Sequence, residues 1–179
     1  MADWYVMLFP SGIPESFRVT VEALEQRMGG VPVDSPHVTV AYLEGEARPD
    51  DLVERMASMP NPSVHIQGRG LFSFWPDSPH ALFGFCLFMR IRKNAALRSL
   101  YVSIASAFEG SGVLPARSWQ DSILHLRLLD HLPVSPSEAL SGLDDEAYTI
   151  SFPAAWLVLS QVDEDGRFQE WFRLPLQAD

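Results

Sequence analysis

The chain of 179 residues has one cysteine, one lysine and no long hydrophobic run, and each shortage excludes a class of function. A lone Cys86 allows no internal disulfide, so the chain reads as a cytoplasmic, unexported protein. Cys86 sits in the apolar run Ala81–Met89 and reads as a small buried hydrophobe. That run is the longest in the chain and falls far short of the roughly 20 residues needed to span a bilayer. The opening residues Met1–Tyr5 lack the basic stretch of a signal peptide, so no membrane association is expected. With Lys93 as the only lysine there is no Gly-x-x-x-x-Gly-Lys loop, which excludes a P-loop cradle for ATP. Zinc-ligand spacings of the His-x-x-x-His and His-Glu-x-x-His kind are also missing, so neither metal nor cofactor is expected.

Positive charge is scarce as well. Thirteen Lys and Arg face 23 Asp and Glu, a net charge of −10, which argues against binding long tracts of nucleic acid. The imbalance is uneven, however. Residues 69–127 carry Arg69, Arg90, Arg92, Lys93, Arg98, Arg117 and Arg127 against Asp77, Glu109 and Asp121, while the rest of the chain is strongly acidic. A basic middle in an acidic protein fits a focused site for a small anion, although scattered solvated arginines would give the same count.

What is present is an alternation of strand and helix patterns. Trp4–Phe9 reads as a strand. Pro14 then opens a helix whose apolar positions Phe17, Val21, Leu24 and Met28 recur at helical spacing, and Gly29-Gly30 stops it. Val31–Pro36 reads as a loop. Pro49-Asp50-Asp51 starts a second helix that ends before Pro60. Val64–Phe74 and Ala81–Arg92 read as strands around a Pro76–Pro79 turn. Leu97, Leu100, Tyr101, Ile104, Ala105 and Phe108 give the clearest helix. A loop through Pro115 follows it. Pro133–Leu143 is a loop with a short helix, and Tyr148–Val162 and Phe168–Leu176 are closing strands around a turn at Asp163–Gly166. The order is weakly repetitive, as a duplicated lobe would make it.

Two histidines stand out against this background. His37 opens the run His37-Val38-Thr39-Val40-Ala41-Tyr42-Leu43, and His125 lies in Ile123-Leu124-His125-Leu126-Arg127-Leu128-Leu129. Residues two apart in a strand share a face. His37 and Thr39 therefore point one way and Val38, Val40 and Tyr42 the other; His125 and Arg127 likewise oppose Leu124, Leu126 and Leu128. A single histidine at a strand start is more often structural, but two in matching slots favour a site. His65, His80 and His131 have no such context, and the last two read as surface residues. Trp75, Trp119, Tyr42 and Phe72 are candidates to stack a nucleobase, Tyr42 least because it faces away from His37.

These residues resemble the 2H phosphoesterase superfamily, which includes 2′-5′ RNA ligase-like proteins and cyclic nucleotide phosphodiesterases. Its signature is a pair of His-x-Ser/Thr motifs in apolar surroundings, roughly eighty to a hundred residues apart. His37-Val38-Thr39 matches, and His125 follows 88 residues later. The resemblance implies an α+β, bilobal, pseudo-twofold fold of two antiparallel-sheet lobes with outer helices and a central cleft, formed by residues 1–179 as one domain. It implies a metal-free phosphodiesterase with His37 and His125 as catalytic acid and base and Thr39 as a phosphate ligand. The second motif departs from the pattern, with Arg127 where the superfamily has serine or threonine. One reading has the guanidinium hold the phosphate in a bidentate fork; the other has its bulk close the cleft, leaving a non-catalytic nucleotide- or phosphate-binding module. The expected partner is a small nucleotide or RNA end, and the expected state a monomer.

Overall fold

The computed structural model describes residues 4–74, 84–135, 138, 140–162 and 168–177. Ten strands and three helices alternate along it: β1 Trp4–Phe9, α1 Glu15–Met28, β2 Val31–Pro32, β3 Val38–Gly45, α2 Pro49–Ala57, β4 His65–Phe74, β5 Phe85–Ile91, α3 Ala95–Ala107, β6 Val113–Pro115, β7 His125–Leu132, β8 Thr149–Pro153, β9 Trp156–Val162 and β10 Phe168–Pro175. The helices begin where local chemistry places them. Pro14 and Arg48 hold extended backbone ahead of α1 and α2, and Pro49 takes the first turn of α2, where a missing N–H costs nothing. The Asn94 side chain caps α3 by accepting the Leu97 N–H at 2.9 Å.

The strands form one antiparallel, curled sheet in the order β10-β9-β1-β3-β7-β5-β4-β8, with β2 added to β7 and β6 to β3. The two motif strands lie at its centre and the order is symmetric about them, two lobes meeting between β3 and β7. One face of the sheet is packed under the helices: Val38, Val40, Leu126 and Leu128 are buried in a continuous apolar core with Leu24 of α1, Met56 of α2 and Ile104 of α3. Burying this face stabilises the sheet by about 25 cal/mol for each Å² of apolar surface removed from water. The opposite face, carrying the histidines, is left for the cleft.

Three features depart from the sequence reading. Val31–Pro32 and Val113–Pro115, read as loops, are short strands, each pairing with the motif strand of the other half of the chain, β7 and β3 respectively. Tyr148–Val162 is two strands, and the chain turns at Ala154–Ala155 to leave the β4 edge and join β1. The lobes also exchange their outer strands: β4 forms a local hairpin with β5 in the second lobe, and the β9–β10 hairpin returns to cover β1 in the first. Hairpin pairing with the sequence neighbour decides this, because short connections dominate antiparallel sheets. The turn expected at Pro76–Pro79 and that at Asp163–Gly166 lie outside the described residues, and the Pro133–Leu143 segment is described only in part. Among the described residues no helix is long and apolar enough to cross a membrane.

Candidate active site

β3 and β7 meet through one register pair, Val38 opposite Leu126. Both side chains are buried in the core. One residue to either side, the alternation turns every side chain to the cleft face: His37 stands beside Arg127 and Thr39 beside His125. The two motifs make the corners of a rectangle with the histidines on a diagonal, a separation of about 7–8 Å for such a pair. All four residues are half-buried.

The two imidazoles are held alike. His37 Nδ1 lies 3.0 Å from the Ser35 carbonyl oxygen, and His125 Nδ1 lies 3.0 Å from that of Ile123, each two residues upstream. A carbonyl can only accept, so each Nδ1 carries the proton and donates it. Nε2 is then the nitrogen that gains and loses a proton on each ring. Aromatic rings fix the ring planes. Phe9 and Phe168 lie 5.3 and 5.4 Å from the His37 ring, and Phe88 and Phe72 lie 5.1 and 6.2 Å from the His125 ring.

Immediately after each motif the strand carries a bulge. Along β1 the register passes from Met7–Thr39 to Val6–Ala41, skipping Val40; along β5 it passes from Phe88–Arg127 to Leu87–Leu129, skipping Leu128. One extra residue inverts the alternation of everything after it. Tyr42 therefore comes to the His37 side, its ring 5.1 Å from Tyr5, which in turn packs 5.2 Å from Phe168. This corrects the expectation that Tyr42 faces away. The matching residue of β7, five after its histidine, is Asp130.

Asp130 and Arg127 line one cleft with His37, Phe9, Phe168 and His131, a space of about 720 Å³. Asp130 Oδ1 lies 3.3 Å from Arg127 Nε, with side chains 12% and 19% exposed, so the pair is largely shielded from water. Behind it, burial first and the Asp130 carboxylate second push the Cys86 thiol up to about 12. Folded, the thiol keeps its proton to higher pH than in the unfolded chain. Its contribution is therefore whole below the ordinary thiol value and is lost as pH rises towards 12, at up to about 1.4 kcal/mol per pH unit. Urea unfolding between pH 8 and 11 should show this alkaline slope in the parent and a shallower one in Cys86→Ala; equal slopes would exclude the thiol as its source.

The other candidates separate clearly. Phe72 stacks 5.6 Å from Phe88 beside His125, under the Arg90 guanidinium. Trp119 packs against Tyr101 and beneath Lys93, whose ammonium donates to the Trp119 carbonyl, and belongs to the core margin. Trp75 and His80 lie outside the described residues. His65 Nε2 pairs with the Ser151 hydroxyl at 2.7 Å, a tie between β4 and β8. His131, read as a surface residue, is exposed and also lines the cleft, in the left-handed region at φ 51°. A non-glycine held there marks local strain, which gathers at functional sites. Among the described residues no three His, Cys, Asp or Glu side chains gather as metal ligands.

No family model matches the chain, and no curated protein matches it. Solved structures do. A phosphoesterase crystal structure shares 16% identity and covers 99% of each chain at a TM-score of 0.61. E. coli LigT complexed with 3′-AMP shares 16% identity over 99% of each chain at 0.62. Kluyveromyces marxianus Usb1 with uridine monophosphate shares 13%, covering 97% of this chain and 98% of its own, at 0.52. With the central motif strands, the symmetric sheet order and this end-to-end likeness, the chain has the 2H phosphoesterase fold.

Proposed function

We propose that the chain is a phosphodiesterase that opens 2′,3′-cyclic phosphates or cleaves 2′-5′ linkages at nucleotide or RNA ends, without a metal, by acid–base catalysis between His37 and His125. The observation that carries this reading is the pair of Nδ1-tethered imidazoles on one cleft face, diagonal across the β3–β7 contact. One neutral imidazole takes a proton from water as the oxygen attacks phosphorus. The bond from phosphorus to a ribose oxygen breaks, and the other, protonated imidazole donates to that oxygen. Each transfer is worth roughly 10²–10⁴-fold in rate. Thr39 and Arg127 hold the non-bridging oxygens and stabilise the charge that develops there. The relatives complexed with 3′-AMP and uridine monophosphate support a nucleotide-sized ligand. Residues 1–179 act together as one bilobal domain, monomeric and cytoplasmic in this reading.

A second reading rests on Arg127, which fills the serine or threonine slot of the second motif and already faces a carboxylate: the cleft binds a nucleotide phosphate without cleaving it. A panel of 2′,3′-cyclic mononucleotides in EDTA separates the two. Turnover by the parent is the expected result. A silent parent beside an active Arg127→Thr variant would overturn it and leave the binding module.

A further inference from the structure

We infer that Asp130 is a specificity-determining residue: by pairing with Arg127 it sets the cleft to accept a singly charged phosphodiester in preference to a doubly charged phosphate monoester. The inference rests on the proposed phosphodiesterase reading for its substrate class, and on the following features for its selectivity.

The bulge at Leu128 turns Asp130 onto the cleft face, and its carboxylate stands 3.3 Å from Arg127 Nε in a largely water-shielded position. The fold does not itself demand an acid there. The same bulge in β3 places the uncharged Tyr42 at the matching position, five residues after His37. An arginine with its own carboxylate is not equivalent to a lone arginine. It offers directional N–H donors to a phosphate at no net charge.

The rest of the cleft adds no excess positive charge. Arg173 lines it in an ion pair of 2.6 Å with Glu170. Asp34 lines it as well, and Arg90 stands across the register from His125 over the Phe72 ring. The cleft lining thus carries two arginines, Arg127 and Arg173, against three carboxylates, Asp34, Asp130 and Glu170. A phosphodiester monoanion entering this cleft, which carries no excess of positive charge, gains the guanidinium and Thr39 contacts and meets less repulsion than a dianion. A monoester dianion brings its second charge close to the Asp130 carboxylate, where the shielded surroundings strengthen repulsion beyond its value in water. Opening a cyclic diester converts the first ligand into the second, so the same residue that admits substrate disfavours product.

The test compares adenosine 2′,3′-cyclic phosphate with adenosine 3′-monophosphate at pH 7.5, where the monoester is mostly a dianion. KM for the first and Ki for the second are measured in the parent, Asp130→Asn and Asp130→Glu. The parent should bind the cyclic phosphate at least as well as the monophosphate. Asp130→Asn should shift preference towards the monophosphate by about tenfold, a fraction of what a shielded charge pair permits. Asp130→Glu should keep the parental ratio. An unchanged ratio in Asp130→Asn, or a shift the other way, would overturn the inference. If Asp130→Asn does not fold, the parent alone decides, since a tenfold parental preference for the monophosphate would also overturn it. A parent that binds both ligands and turns over neither defeats the phosphodiesterase reading, and the selectivity is then read from the two Kd values. A parent that binds neither defeats both.

Discussion

His37→Ala and His125→Ala should each lower turnover of a 2′,3′-cyclic nucleotide by about 10²–10⁴-fold, the worth of one positioned proton transfer. Stability should change little, because both rings lie half-buried on the cleft face and their Nδ1 atoms bond to local carbonyls two residues upstream. Melting temperatures of the two variants check that half of the claim. The pH profile checks the rest. The base must be unprotonated to work, so protonating it removes activity as pH falls; the acid must be protonated, so deprotonating it removes activity as pH rises. The parent profile should be bell-shaped with two limbs near neutrality, since imidazole ordinarily titrates near 6.5. Residual activity in each variant should then lose one limb: the variant without the low-pH limb has lost the base. A flat parental profile from pH 5 to 9 would sink the two-histidine scheme. The matched Nδ1 tethers treat the two rings alike, so on the proposed scheme the division of roles should follow what stands beside each ring, Arg127 for His37 and Thr39 for His125.

Gly45→Ala should destabilise the protein by about 2–5 kcal/mol, from backbone strain and overpacking together. Gly45 ends β3 at φ 135°, and a Cβ there would stand 2.1 Å from the Gly112 carbonyl oxygen. Gly112, at φ 96°, is in the same position towards the Glu46 carbonyl, at 2.2 Å. Two backbones cross at this point with no room for a side chain on either, and the contact aligns β6 against β3. Neither obstacle is a flexible side-chain tip, so relief requires moving the strand. A chain of this size should lose on the order of 10 °C in Tm. Gly110→Ala is the control. It shares the left-handed backbone, at φ 73°, but has open space around its Cβ, so it isolates the strain contribution at about 1–3 kcal/mol. Gly12→Ala, with open space and an ordinary φ, should be neutral within about 0.5 kcal/mol. Equal losses at Gly45 and Gly110 in urea melts would show that the crossing contributes nothing.

Much of this architecture is legible in the amino-acid sequence, for reasons that are local. The helix of Ala95–Ala107 announces itself by its apolar stripe; Gly29-Gly30 ends the first helix by a conformation only glycine adopts freely. The shared face of His37 with Thr39, and of His125 with Arg127, follows from strand alternation alone. That alternation fails after Thr39 and Arg127, because a one-residue bulge has no sequence signature of its own. Val40 and Leu128 look like any other strand residue, yet they decide that Tyr42 and Asp130 belong to the cleft. Nor does sequence reveal long-range partners. Phe168 reads as the start of a closing strand, and nothing near it predicts an edge contact with His37 at the other end of the chain. Short pairings such as Val31 with Asp130 lack enough residues for any periodicity to show.

The exchange of outer strands also fixes an order of events during synthesis. β1 emerges first, but its neighbour β9 comes some 150 residues later, and Phe168 later still. The β4–β5 hairpin and β7 can assemble while translation continues, so the lobe around His125 acquires most of its wall early. The lobe around His37 stays open-edged on the ribosome, with β1 exposed along one side as an unpaired strand edge. Such non-local pairing predicts slow folding, in milliseconds to seconds, and makes the nascent chain most prone to mispairing just before its last strands arrive.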